Sequence, residues 1–310
     1  MRWMGFLVLW GLLGAAAPAC YTADSGGGTD TSLEIASEPT PDTAARELPD
    51  DEASPTPSGT LRVLTYNVAG LPQGISGSDP ETNIPQISPL LNDYDLALVQ
   101  EDFSYHEELA AEATHPYQSA PWSERFGEQN IGDGLNRFSV SPFGDLERIP
   151  WPDCNGLLDC ASDCMATKGF SVARHALAPG VQVDVYNLHM EAGGCPGDEV
   201  IREAGVTLLL ETIAARSAGL PVLIAGDFNL HEDDAPDLDQ LQRLTAAGLV
   251  DVCWSLECGE TNIDRIFVRD GDALSWEPLA WEVPAGFVTS EGAPLSDHEP
   301  VAAVLSFSGS

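Results

Sequence analysis

The spacing of hydrophobic residues along the chain changes between a period of two and a period near 3.6, and this change predicts the secondary structure. Strand-like apolar segments cover residues 61–68, 96–101, 169–175, 181–189, 222–227, 261–268, 276–283 and 295–305. Helical spacing covers residues 84–91, 105–113, 199–215 and 238–247. The helix over 199–215 is the most regular, and its predicted apolar side consists of Val200, Ala204, Leu208 and Ile213.

The section over 117–148 is rich in glycine and aromatic residues, and Phe126, Phe138 and Phe143 indicate short strands there. Strands and helices are therefore interleaved through most of the chain. This order predicts two packed β-sheets with helices on the outside. The chain has 310 residues, 43% of them hydrophobic, which is enough to fill such a core.

The first twenty residues have the pattern of an export signal. Arg2 is followed by an apolar run too short to span a bilayer comfortably, and small residues then lead to Cys20. A cysteine at this place resembles a bacterial lipoprotein box, in which the cysteine is lipidated and begins the mature chain. We therefore expect an exported protein. It is either an outer-membrane or cell-surface lipoprotein held to the membrane through Cys20 or, after ordinary cleavage, a secreted protein.

Residues 21–59 consist mainly of Ser, Thr, Pro, Gly, Asp and Glu without a hydrophobic period. This composition predicts a disordered acidic linker, followed by a globular domain over residues 60–310. The whole chain has a formal net charge of −36. Because such a surface repels polyanions, we do not expect strong passive attraction to nucleic acid or anionic lipid, whereas divalent cations would be attracted.

Cysteine usage agrees with an oxidising compartment. Setting Cys20 aside leaves six cysteines, an even number that predicts three disulfides in an exported protein. Cys253 and Cys258 flank a short turn and are expected to pair. The other four could be mistaken for a zinc site, but we expect two disulfides of open connectivity among Cys154, Cys160, Cys164 and Cys195.

Five predicted strand ends carry only Asn, Asp, Glu or His side chains. They are Asn67, Glu101, His189, Asp227 with Asn229, and Asp297 with His298. Asp227 and Asn229 are two residues apart in an extended segment after Gly226, so their side chains point to the same side. A polar residue at one strand end is commonly just the place where the strand meets water. Five such ends favour a site, since these oxygens suit Mg²⁺ or Ca²⁺ and histidines transfer protons near neutral pH.

Six short motifs carry a resemblance to a known family. They are Leu64-Thr-Tyr-Asn67-Val, Val99-Gln-Glu101, Asn187-Leu-His189, Gly226-Asp227-Phe-Asn229, Ile263-Asp264-Arg-Ile and Ser296-Asp297-His298. In this order they resemble the endonuclease/exonuclease/phosphatase superfamily, which includes deoxyribonucleases and sphingomyelinases. The resemblance covers residues from about 60 to 307. It implies an α+β fold, a four-layered α/β/β/α sandwich with two packed mixed β-sheets.

The resemblance also implies a divalent metal ion, Mg²⁺ or alternatively Mn²⁺ or Ca²⁺. Glu101 corresponds to the principal carboxylate ligand, and Asn67 lies beside it, touching the metal or the phosphate. Asp297 is the remaining acidic neighbour and serves as a ligand or as an orienting group. Such an ion withdraws charge from a phosphodiester and stabilises the leaving oxygen.

The same resemblance assigns the acid–base groups. His298 corresponds to the general base that activates water, and Asp264 accepts its other ring N–H. His189 would hydrogen-bond a non-bridging phosphate oxygen as charge develops. Asp227 would orient the attacking water or bind metal, and Asn229 would hold a phosphoryl oxygen. No covalent intermediate is required.

The expected substrate is a phosphate ester, and a lipid phosphodiester with a zwitterionic head, as in sphingomyelinases, suits this acidic chain better than nucleic acid. An aromatic hairpin near Trp276 and Trp281 dips into the membrane in sphingomyelinases. The alternative is that both are ordinary core residues on a strand. We weigh two other functions, an extracellular nuclease and a non-catalytic surface binding protein, although the latter predicts broken motif positions and all are filled. We expect a monomer.

The other four histidines, His106, His115, His175 and His231, are not assigned to the site. His231 follows the Asp227–Asn229 segment and is the one that could line the cleft.

Overall fold

The structure, a computed structural model, describes residues 57–122, 131–156, 160, 163–259 and 262–309. The predicted export signal with Cys20, the linker up to residue 56 and the predicted strand at Phe126 therefore lie outside the described residues. The described part belongs to one compact unit over residues 53–310.

In chain order the described strands are β1 (Ser58–Asn67), β2 (Leu96–Gln100), β3 (Tyr117–Gln118), β4 (Asn136–Ser139), β5 (Phe143–Pro150), β6 (Gly169–Ala178), β7 (Val181–His189), β8 (Val222–Asp227), β9 (Val250–Asp251), β10 (Asp264–Arg269), β11 (Leu274–Glu282) and β12 (Val301–Gly309). The α-helices are α1 (Pro80–Leu90), α2 (His106–Ala110), α3 (Pro196–Arg216), α4 (Ala235–Ala246) and α5 (Val252–Ser255). Single 3₁₀ turns occupy Leu91–Asp93 and Asp163–Met165.

The described strands form two six-stranded sheets, with the orders β11-β12-β1-β2-β4-β3 and β5-β6-β7-β8-β10-β9. Strands β1 and β2 are parallel in the first sheet, as β7 and β8 are in the second, while the other pairs are antiparallel. Both sheets are therefore mixed. The two parallel pairs lie at the centre of their sheets, so their carboxyl ends are flanked by other strands.

Three apolar clusters separate four layers. The cluster between the sheets contains Leu98 of β2 and Leu223 of β8. On the outer face of the first sheet, Ile84 of α1 packs with Tyr66. On the outer face of the second sheet, apolar residues of α3 and α4 pack with Phe267 and its neighbours. The α+β fold, a four-layered α/β/β/α sandwich, is thereby confirmed, because each sheet covers one face with helices and the other with its partner sheet.

The buried side of α3 is shifted from the predicted one, although Ile213 is buried as predicted. Val200 is 62% exposed, whereas the helix buries a stripe that begins at Ile201 and continues through Gly205. Gly205 packs against the Trp151 ring, which lies 3.3 Å from the position of a Cβ on that glycine. The apolar spacing alone did not distinguish Val200 from Ile201. Ile201 is one helical turn from Gly205, so it lies on the side of α3 that packs against Trp151, and Val200 does not.

Other elements match the predicted ones with shifted ends. Strand β1 begins at Ser58, inside the predicted linker, because Ser58 pairs with Ser308 of β12. On β11, Trp276 is buried edge-on against Phe307, and Trp281 packs on the core between the sheets. Of the two alternatives for these tryptophans, the structure favours the one in which they pack on the core as residues of a strand.

The described residues contain three disulfides. Cys253 is bonded to Cys258, as the sequence predicts, and the remaining pairs are Cys154–Cys164 and Cys160–Cys195. Within the described residues, no helix combines the length and the apolar content that crossing a bilayer would require.

Candidate active site

The register of three neighbouring strands creates a row of polar side chains. On β8, Asp227 is opposite His189 of the parallel strand β7 and opposite Asp264 of the antiparallel strand β10. The neighbouring residue Gly226 makes this close pairing possible, since a Cβ there would lie 2.1 Å from the Leu188 carbonyl oxygen. The row is thus set by strand pairing rather than by flexible loops.

Asn67, at the end of β1, connects this row to the first sheet. Its side-chain amide donates to Glu101 Oε1 and to Asp227 Oδ2, both at 3.2 Å. Its Oδ1 accepts a hydrogen bond from the Ala69 backbone N–H at 3.1 Å. Asn67 therefore holds one carboxylate from each sheet at the same point. Its expected role as a metal ligand stays a prediction.

Glu101 directly follows β2 in a left-handed backbone conformation, with φ of 56°. This conformation is uncommon for a residue with a side chain and turns the carboxylate away from the strand direction. Gly134 packs beneath it, and its carbonyl accepts the Asp102 N–H at 3.1 Å. A Cβ on Gly134 would lie 3.0 Å from Glu101 Cα, so only glycine fits there without displacement.

His298 is held by a carboxylate on its far side. Its Nδ1 lies 2.8 Å from Asp264 Oδ2, and its Nε2 lies 3.7 Å from Asp227 Oδ2. Burial by itself would lower the pKa of His298, but the hydrogen bond that its ring donates to Asp264 and the negative charges of Asp264, Asp227 and Asp297 outweigh burial and raise the pKa to about 10. Asp264 thus fixes the ring so that Nε2 faces the cleft.

His189 has the opposite electrostatic environment. It is fully buried, and this burial, with the nearby charge of Lys168, brings its pKa well below the usual value. Its Nε2 lies 3.3 Å from Asp227 Oδ2. Asn229, in a left-handed conformation, donates its amide to the Met190 carbonyl at 3.1 Å and its backbone N–H to Asp227 Oδ1.

The site combines oxygen ligands with an excess of buried negative charge. Burial raises the pKa of Glu101 and of Asp264, and burial together with Asp264 raises the pKa of Asp227 to about 6. Ligand atoms of Asp227, Asp264 and His298 lie within 4.8 Å of one another. In addition, Asp264 Oδ1 is buried without a hydrogen-bond partner among the described residues. This donor set fits a hard divalent cation such as Mg²⁺, which would offset the crowded carboxylates.

Seven of the eight predicted site residues converge on this point. The eighth, Asp297, is exposed and accepts a hydrogen bond from the Ser296 hydroxyl at 3.3 Å, while its charge still acts on Glu101 and His298. Ser296 also donates to the Asn67 carbonyl at 2.7 Å, so it ties the loop of His298 to β1. The metal-ligand role of Asp297 stays a prediction.

The four unassigned histidines lie elsewhere. His106 pairs with Asp102 at 2.5 Å, His115 contacts the Tyr94 carbonyl, and His175 is buried beside Arg137. His231 is exposed and lines a separate cavity next to the site.

Sequence reasoning missed Lys168 as a member of the site. It lines the same cleft, of about 390 Å³, as Glu101 and His298, and it is the only lysine or arginine that does so within the described part of the chain. Its Nζ lies 2.5 Å from Asp163 Oδ1 and donates to the Met190 carbonyl at 3.1 Å. Its position depends on the loop joining β5 to β6, and no sequence periodicity reports that loop.

Comparisons with known proteins agree with this geometry. A sphingomyelinase of Mycobacterium tuberculosis is 34% identical over 278 residues, which cover 81% of this chain and 53% of that protein. The chain therefore spans about half the length of this relative. Among solved structures, sphingomyelinase C from Streptomyces griseocarneus has a TM-score of 0.56 at 20% identity, covering 79% of this chain and 99% of that one.

A second structural neighbour was solved with a nucleic acid. D. rerio TDP2, solved in complex with a single-strand DNA product, has a TM-score of 0.60 at 18% identity and covers 79% of this chain and 98% of that one. At this identity both structural similarities show the fold alone. The sequence profile of the Endonuclease/Exonuclease/phosphatase family matches residues 64–298, a span that contains every residue of the site described above. The chain belongs to the Endonuclease/Exonuclease/phosphatase family.

Proposed function

We propose that this protein is a divalent-metal-dependent phosphodiesterase that hydrolyses a lipid phosphodiester of the sphingomyelin type. The observation that carries the proposal is the row in which His298, backed by Asp264, faces Asp227 and His189 in one cleft. A histidine–carboxylate pair beside buried oxygen ligands is the arrangement that water activation at a phosphate ester requires.

In this proposal each side chain has a role that its contacts support. Asp264 accepts the Nδ1–H of His298, and a bound divalent cation would offset the carboxylate charges that raise the pKa of this ring. In that state Nε2 would be free to take the proton of the attacking water. Neutral His189 donates a hydrogen bond to a phosphate oxygen, because burial keeps it from accepting a proton. Asn229 and Asp227 are coupled through the Asn229 N–H at 3.0 Å, so they would orient water and phosphate together.

Glu101 and Asp227 are the residues placed to hold the cation, with Asn67 between them and Asp297 close by. When bound, a divalent ion would neutralise the phosphate charge and the local excess of carboxylates. We propose Mg²⁺, with Mn²⁺ or Ca²⁺ as alternatives, because oxygen atoms dominate the donor set.

Two observations support a lipid ester over a nucleic acid. The first is the 34% identity to sphingomyelinases. The second is charge: the chain has a net charge of −36, and Lys168 in the cleft is already paired with Asp163. Nucleic-acid enzymes hold several phosphates with free cations, and such groups do not line this cleft in the described part of the chain.

The test is hydrolysis of sphingomyelin vesicles, plasmid DNA and bis-p-nitrophenyl phosphate, each with Mg²⁺ and then with EDTA. We expect release of phosphocholine that EDTA stops and that His298→Ala abolishes. The matched control, His231→Ala, changes an exposed histidine in the neighbouring cavity and should retain wild-type rates. Plasmid nicking without lipid turnover would instead make the protein a nuclease. Failure on all three substrates would favour a non-catalytic binding protein.

We also propose that the protein is exported and works as a monomer, tethered through a lipid on Cys20. The three disulfides support an oxidising compartment. Light scattering of the purified full chain would test the monomer.

A further inference from the structure

Several apolar side chains line the catalytic cleft, and the proposed chemistry uses none of them. The cleft that contains Glu101, His189 and His298 is also lined by Leu71, Ile75, Phe103, Ile131 and Met165. Two of these side chains are largely in water: Ile75 is 65% exposed and Met165 is 44% exposed. Exposed apolar residues are ordinary when scattered singly, but these two border the site where substrate must enter.

Ile75 is held outward by a hydrogen-bonded loop. The Gln73 N–H donates to the Tyr105 hydroxyl at 2.9 Å, and the Ser76 hydroxyl donates to the Ala69 carbonyl at 2.8 Å. The Ile75 N–H itself donates to the Pro72 carbonyl at 2.9 Å. Because these bonds fix the backbone on both sides of Ile75, its exposure is a property of the folded loop.

Met165 is held by a different segment of the chain. It ends the 3₁₀ turn Asp163–Met165, in which Cys164 is bonded to Cys154 and Asp163 is paired with Lys168. A covalent bond and an ion pair therefore precede the exposed thioether directly. Methionine is a flexible apolar side chain that adapts to irregular apolar partners.

We propose that Ile75 and Met165 contact the apolar part of a lipid phosphodiester where it emerges from the bilayer surface. The inference rests on the proposed function and extends it by naming the interfacial residues. Both residues line the cleft in which the phosphate of the substrate would be held, so a group attached to that phosphate can reach them. An acyl-type chain gains free energy from covering them, whereas the charged backbone of a nucleic acid does not.

The position differs from the hairpin that the sequence suggested. On β11, Trp276 and Trp281 belong to the core, and only Leu279, at the irregularity between Pro278 and Ala280, is a large exposed apolar side chain. The two candidate contacts can therefore be separated experimentally. Ile75 and Met165, called the rim residues below, line the cleft, whereas Leu279 lies on the edge strand of the first sheet.

The experiment compares four variants of the full chain: Ile75→Asn, Met165→Gln, the double variant of these two, and Leu279→Asn. All proteins carry Cys20→Ser, so that no lipid anchor brings them to vesicles. Turnover of sphingomyelin–phosphatidylcholine vesicles is divided by turnover of soluble bis-p-nitrophenyl phosphate. Binding is measured separately by sedimentation with the same vesicles. Val200→Asn is the matched control, since Val200 is 62% exposed but lies on α3.

We expect each rim variant to weaken vesicle binding and the turnover ratio about tenfold, as the loss of one buried aliphatic side chain predicts. Val200→Asn should keep vesicle binding and the turnover ratio within about twofold of the parent protein, because Val200 makes no proposed contact with lipid. If the double variant binds vesicles and keeps the turnover ratio of the parent protein, the inference is overturned while the proposed function stays intact. If only Leu279→Asn loses vesicle binding, the inference is overturned in favour of a contact through β11. Vesicle binding that depends on the rim, without any cleavage of lipid, would instead refute the proposed function and retain the contact.

Discussion

Replacing Gly134 by alanine should separate the position of Glu101 from the stability of the fold. Gly134 has φ of +63°, and an added Cβ would lie 2.7 Å from the Phe103 ring and 3.0 Å from Glu101 Cα. A left-handed backbone costs a residue with a side chain about 1–2 kcal/mol. The contacts add to this cost, because carbon atoms prefer separations of about 3.5–4.0 Å. Glu101 or Phe103 must therefore move by roughly 0.5–1 Å to relieve the contacts.

Gly180→Ala is the matched control. Gly180 has φ of +78° at the turn between β6 and β7, and an added Cβ there would meet nothing within 4 Å. Both variants therefore carry the same backbone cost of about 1–2 kcal/mol, but only Gly134→Ala also disturbs a site residue. Their free energies of unfolding in urea will show how much of the Gly134 effect is general destabilisation.

The readout is hydrolysis of bis-p-nitrophenyl phosphate across a Mg²⁺ titration, at a temperature where both variants are folded. A displacement of about 1 Å at a reacting site can cost about 10²-fold in rate. We expect kcat/KM to fall by about that factor in Gly134→Ala, with a higher Mg²⁺ requirement, and to change less than threefold in Gly180→Ala. If the two variants have equal kcat/KM and equal Mg²⁺ dependence, the placement of Glu101 by Gly134 is refuted.

Three further predictions address the base, a core histidine and the anchor. Asp264→Asn should lower kcat by about 10²–10⁴-fold, because His298 loses the carboxylate that orients it; stopped assays at saturating Mg²⁺ measure this, and a loss below tenfold contradicts it. Burial, helped by the Arg137 charge, lowers the pKa of His175 from 6.5 to about 2. The unfolded chain therefore binds the extra proton, and the free energy of unfolding falls by about 1.4 kcal/mol per pH unit as pH drops below 6.5. His175→Gln should remove that slope in urea titrations between about pH 4.5 and 7, and an unchanged slope would argue against a neutral buried ring. Cys20→Ser should move the protein from the membrane fraction to the medium, whereas continued membrane fractionation would exclude the lipid anchor.

The members of the site could be predicted because each occupies a short motif at the end of a strand. Asp227 and Asn229 are two residues apart after an apolar run, so local geometry already places them on one side. What the motifs did not contain is the pairing of β8 with β7 and β10, which puts His189, Asp227 and Asp264 in register. That register depends on the burial of whole strands. The prediction that these residues meet therefore relied on the family resemblance.

The features that escaped prediction depend on contacts between distant segments. The buried side of α3 contains Gly205, which packs against Trp151, and the Cys160–Cys195 disulfide joins distant segments just before that helix. Lys168 enters the cleft through its contact with Asp163. Each of these required knowledge of which surfaces meet, and a hydrophobic period describes only one surface at a time.

The placement of catalytic groups on two different sheets makes the packing between the sheets part of the chemistry. Directly behind the site, Gln100 of the first sheet donates to Asn187 of the second at 2.7 Å, and Asn187 donates back to the Val99 carbonyl at 2.9 Å. Apolar contacts in the same gap resist separation of the sheets but fix their relative position only weakly, since hydrophobic attraction is non-directional. A buried amide pair is costly if it slips, because each unpaired polar group would remain without water. The amides therefore fix the alignment in which Asn67 can reach both Glu101 and Asp227, and the distance between the two carboxylates follows from the core rather than from the loops.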